Sequence, residues 1–64
     1  MTVIATKVAT GQQGEEWYLL NGESAGIQFS DAMYGTVAGA VLDADGNQLP
    51  PGPVADAVAA AVAS

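Results

Sequence analysis

A chain of 64 residues with neither cysteine nor histidine has few ways to hold a fold together. Domains this small usually need a disulfide, a metal or a partner chain when their core is thin. Here no disulfide can form, and no zinc site can be built from Cys and His. The same absence leaves the redox compartment undetermined. The core is also thin. Half of the residues count as hydrophobic, but thirteen of these are alanine, which buries little area. Contact with another protein chain is the support that remains, and it is the first pointer to an interaction protein.

Seven carboxylates against one side-chain cation, Lys7, leave a formal charge of −6. Nucleic-acid binding draws on Lys and Arg to displace counterions from phosphates, so neither nucleic acid nor an anionic membrane surface is an expected partner. Charged residues make up 12% of the chain, too dilute for an array that imitates DNA. Acidity then reads as a solubility device. The longest uncharged apolar-leaning run, residues 32–42 apart from its glycines, is half of what a bilayer span needs. Residues 1–10 lack the charged start and long apolar stretch of a secretory signal. The expected location is a virion or the cytoplasm of a bacterial host.

Residues 2–10, TVIATKVAT, alternate and are rich in β-branched side chains, which predicts a strand. Gly11 to Gly14 form a turn, and residues 15–20, EEWYLL, a second strand that Asn21-Gly22 closes as a turn pair. The two strands form a hairpin. Trp17 and Leu19 share one face, Tyr18 and Leu20 the other. A third short strand covers residues 27–29. Residues 30–42 can be read as a helix capped by Ser30, with Asp31 in its first turn, or as a strand. Gly35 and Gly39 weaken the helix. A short turn at residues 30–33 and a strand from about Gly35 to Leu42 is preferred. Pro50-Pro51-Gly52-Pro53 breaks the chain. Pro53 suits the first position of a helix over residues 54–63, VADAVAAAVA. Val54, Val58 and Val62 make a narrow ridge on it.

Residues 35–52, GTVAGAVLDADGNQLPPG, carry a valine-alternating strand, an Asp-rich turn with glycine, then Leu-Pro. This stretch resembles the strand–turn–strand opening of carboxypeptidase regulatory-like and other small β-sandwich modules. The resemblance covers eighteen of the 64 residues and implies a hairpin, because a full sandwich needs more strands than the chain holds.

No residue set points to catalysis. Asp43, Asp45 and Asn47 place oxygens at alternate positions, as at the start of a calcium loop. Gln48 then stands where the loop needs glycine, and Val54 where it needs a carboxylate. A turn with Asp and Asn bonding to backbone fits better. Glu15 and Glu16 are neighbours in a strand and point to opposite faces. Ser24, Ser30 and Ser64 have no activating base, and no G-K-[ST] follows the glycines of the first turn. A lone Trp17 reads as core, which turns Tyr18 outward as a contact residue. The valine ridge packs on the sheet or docks on another chain.

The predicted architecture is α+β: a small antiparallel sheet of three to four short strands over residues 2–49, a Pro-rich break at 50–53, and one C-terminal helix. The candidate protein-interface residues are Tyr18, Leu20, Ile4, Val54, Val58 and Val62, with no catalytic, cofactor or metal residues. The expected function is that of a small non-catalytic structural or accessory protein of a larger assembly. A phage virion component, such as a decoration or tail accessory protein, is its most specific form. The alternative is a small acidic inhibitor that binds a host or defence protein, anti-CRISPR-like or antitoxin-like; a peptide precursor ranks below both. The expected partner is protein, either self or a larger assembly.

Overall fold

The computed structural model describes residues 2–63. Four strands, β1 (Val3–Thr10), β2 (Glu16–Ser24), β3 (Ile27–Val37) and β4 (Ala40–Leu42), precede one helix, α1 (Pro53–Ala63). The strands form one antiparallel meander in the order β1-β2-β3-β4. This is the α+β sheet-plus-helix architecture expected from the sequence. The helix begins at Pro53, where the fixed φ of proline suits the first position, and the Asp56 amide donates to the Gly52 carbonyl at 2.9 Å.

The turns fall elsewhere than predicted. Asn21-Gly22 does not close β2. The strand runs on to Ser24, and Ala25-Gly26 reverse it with φ of 53° and 81°. Nor does the chain turn at residues 30–33, for β3 continues to Val37 and reverses at Ala38-Gly39, with φ of 48° and 82°. Both reversals are two-residue loops with positive φ at each central residue, the geometry whose twist matches antiparallel strands. Asn21 is instead spent on an irregularity inside the sheet. Between the pairs Leu20↔Ala32 and Gly22↔Phe29, β3 carries one more residue than β2, and Asp31 takes a φ of 51°. The Asn21 side chain spans the gap, accepting from the Asp31 amide at 2.9 Å and donating to Asp31 Oδ1 at 3.1 Å.

That bulge corrects the parity of β3. Strict alternation would set Phe29 on the face opposite Ala32 and Tyr34, whereas the extra residue returns all three to one side. There they meet Leu20, Val41, Ala57 and Val58 in the core cluster. Phe29 and Tyr34 pack edge to face, with ring centroids 5.9 Å apart. The helix lies over this side of the sheet, against β1, β2 and β4. Its buried residues are Ala57 and Val58, and the small alanine lets the backbones approach closely.

The hairpin implied by the resemblance is present in short form. From β4 the chain turns through residues 43–47, and Leu42 bridges Gln48 while the Leu49 amide donates to the Val41 carbonyl at 2.8 Å.

Candidate interaction surface

The helix covers the Tyr18 and Leu20 face of β2, which corrects the expected placement of the interface. Leu20 is completely buried within the chain's own core, and so is Val58. Neither is available to another chain. Tyr18, Val54 and Val62 are half-buried against the same cluster. Alternation alone cannot say which face of a strand the helix will cover, and the assumption that the lone tryptophan marks the core chose the wrong one. Of the six candidates, Ile4 alone is strongly exposed, at 64%.

The opposite face has no cover within the described residues. Across it run two rows: Thr6, Leu19 and Met33, then Ala9, Trp17, Gly35 and Leu42. Ile4 stands beside them opposite Asn21. Trp17 lies half-buried across Gly35, and a methyl at that glycine would meet the indole at 2.9–3.2 Å. The missing side chain on β3 makes the slot in which the ring rests, a cross-strand glycine–aromatic pair. Met33 is 36% exposed. Trp17 and Met33 lie on the uncovered face and were not among the six candidates read from the sequence. The signal was there in the pairing of one large ring with one glycine, but it can be read only once the register is known.

Charge is kept off the rows themselves. Lys7 and Glu16 belong to the helix side, where the Lys7 ammonium donates to Glu16 Oε2 at 3.2 Å and the Tyr18 hydroxyl to Glu16 Oε1 at 2.8 Å. The hydrogen bond from Tyr18, followed by the bond and charge of Lys7, holds the Glu16 carboxyl below the ordinary value of 4.5. The same bond, with burial and the carboxylate charge adding to it, pushes the Tyr18 phenol above 10.0. A lowered carboxyl stabilises the fold above its unfolded-state pKa, and that contribution is lost as pH falls through the lowered value. A raised phenol stabilises below its unfolded-state pKa, and the contribution goes as pH rises through the raised value. In an ultraviolet titration, one of the two tyrosines should therefore ionise above pH 10.0, and Glu16→Gln should bring it back down. An unchanged phenolate titration in Glu16→Gln would remove the bond from the account.

The Asp-rich loop is a self-contained turn. Asp43 Oδ1 accepts from the amides of Asp45 and Asn47, each at 2.9 Å, and the Asp43 amide donates to the Asn47 carbonyl at 2.8 Å. An oxygen already holding two amides suits a loop clasp better than a cation ligand. A shallow cleft between β4 and the start of α1 is lined by Val41, Leu49, Pro51, Ala55 and Asp56 among others, with Asp56 its one titratable group. No group of three or more acidic residues that could hold a metal occurs among the described residues, and none of their helices is long and apolar enough to cross a membrane. No protein-family model matches the chain, and neither a curated protein nor a solved structure matches it significantly.

Proposed function

We propose that this protein is a non-catalytic subunit that works by binding protein, with the open sheet face as its working surface. The observation that carries the reading is that face: Ile4 and Met33 stand exposed around Trp17 and Leu19, with no helix to cover them. Burying apolar area is the strongest general drive to association, at about 25 cal/mol per Å², and an uncovered apolar face on a small protein marks a contact site. A structural or accessory role in an assembly follows, and a virion component of the decoration or tail-accessory kind is its most specific form. The second reading, an acidic inhibitor of a host or defence protein, is favoured by the −6 charge, since the chain's one lysine is held by Glu16.

The test is capture of interacting chains from the native source, with cross-linking and mass spectrometry, using wild type beside Ile4→Lys/Met33→Lys. A chain retained by wild type and lost from the variant supports the reading, whether it is another protein or this one. If neither another protein nor a second copy is retained, or if the variant retains the same chains, the open face is not the working surface.

A further inference from the structure

We infer that Asn21-Gly22 is a site of self-modification: Asn21 loses its side-chain amide by ring closure onto the Gly22 nitrogen, and the bulge at Asp31 holds that reaction in check until this part of the sheet opens. The inference is independent of what binds the open face.

Closure meets least resistance where glycine follows asparagine, because no side chain crowds the attacking nitrogen. The chain has two asparagines, and Asn21 alone precedes a glycine, since Asn47 precedes Gln48. The Gly22 nitrogen gives up its proton to solvent base and bonds to Asn21 Cγ. The Cγ–Nδ2 bond breaks, and Nδ2 takes a proton from water and leaves as ammonia. Water then opens the five-membered imide at either carbonyl, which gives aspartate or isoaspartate. One water enters and one ammonia leaves, with nothing oxidised or reduced. Both residues are exposed, so water reaches them.

The folded sheet opposes this closure. In an extended strand the side chain stands off the sheet while the next peptide nitrogen lies within it. Asn21 is fastened further, for its Oδ1 accepts from the Asp31 amide at 2.9 Å and its Nδ2 donates to Asp31 Oδ1 at 3.1 Å. Gly22 is paired on both sides, with Val3 and with Phe29. The Glu23 amide donates to the Thr2 carbonyl at 3.4 Å, so alternation turns the Gly22 amide the other way, toward β3. Closure requires release of both Asp31 bonds and withdrawal of the Gly22 amide from the ladder. Its rate follows the population of that opened state.

The product cannot remake the bulge. Aspartate at position 21 has no donor, and its carboxylate would face that of Asp31 across the 3.1 Å of the present hydrogen bond. Isoaspartate adds a backbone carbon between the pairs Leu20↔Ala32 and Gly22↔Phe29, where the register shifts. Either product opens more readily than its parent, so the change runs one way and limits the lifetime of the folded chain.

Peptide mapping by mass spectrometry of the full chain, kept warm at mildly alkaline pH, reads the reaction as a gain of about 1 Da at Asn21. In denaturing urea the gain at Asn21 should come roughly tenfold faster or more than in buffer, and ahead of any at Asn47. Asp31→Gly removes the carboxylate acceptor and suits the φ of 51° at that position. With the sheet intact by circular dichroism, it should speed the reaction in buffer roughly threefold or more. Asn21→Asp, which installs the product, should melt several degrees below wild type. Gln12→Glu makes the same charge change in an exposed turn and should melt with wild type. Overturning results are no gain at Asn21 in urea, equal rates in urea and buffer, a folded Asp31→Gly chain no faster than wild type, or an Asn21→Asp chain that melts with wild type. If Asp31→Gly does not fold, the comparison of urea with buffer decides.

Discussion

Val58→Asp should unfold the chain. Val58 is wholly buried between the helix and the sheet, and the one lysine that might answer a carboxylate is held by Glu16. An unpaired buried charge costs about 3–5 kcal/mol. A core of this size supplies about that much stability in total. Far-UV circular dichroism at room temperature should show the loss of ordered structure. Acidification should partly restore it, because the protonated side chain carries no charge. Two companions separate charge from packing. Val58→Ala leaves a cavity worth about 2 kcal/mol, a fall in midpoint of roughly 8–16 °C. Ala60→Asp, on the exposed side of the same helix, should stay within about 0.5 kcal/mol of wild type. A Val58→Asp protein that melts like wild type would mean that the helix does not pack on the sheet.

Gly22→Ala should come close to the same outcome through the backbone. Gly22 has a φ of 127°, a region that side-chain-bearing residues scarcely enter. A methyl there would overlap the Thr2 carbonyl oxygen and come within 3.0 Å of the Val3 Cα. Both obstacles are backbone atoms, so no side-chain rotation relieves them. Strain of about 1–3 kcal/mol and the overlap add, and a total of about 3 kcal/mol or more is expected in urea melts. Gly39→Ala is the contrast. It also has positive φ, 82°, but open space around the position, so it should lose about 1–2 kcal/mol. If the two substitutions cost the same, β1 does not pass close against Gly22, and the register of the first hairpin is wrong.

The helix was legible because its signals are local. Proline at the first position, an acid in the first turn and a run of alanines act within a few residues, whatever the rest of the chain does. The first hairpin was legible for the same reason, from alternation and paired glycines. The Asn21-Gly22 turn failed because a strong local preference met a stronger tertiary use. The Asn21 side chain accepts the Asp31 backbone N–H at the bulge and donates to the Asp31 carboxylate, and Gly22 admits the close passage of Thr2. The positive-φ reversals fell instead on Ala25-Gly26 and Ala38-Gly39, where alanine gives little warning.

The candidate site was half legible. From composition came the prospect of a covering chain, since 64 residues with one helix can shield one face of a sheet. Alternation separated Trp17 and Leu19 from Tyr18 and Leu20, and that division holds in the structure. Alternation has two solutions of equal standing, and nothing within a strand distinguishes them. The sequence by itself determined the sheet-plus-helix class, the first hairpin and the C-terminal helix. The tertiary structure alone decided which face is bare, because that depends on a bulge bringing Phe29 onto the side of Leu20 and on a glycine meeting Trp17 across the sheet. Both are contacts between residues distant in the chain, and the free energy that orients the helix exists only once those contacts form.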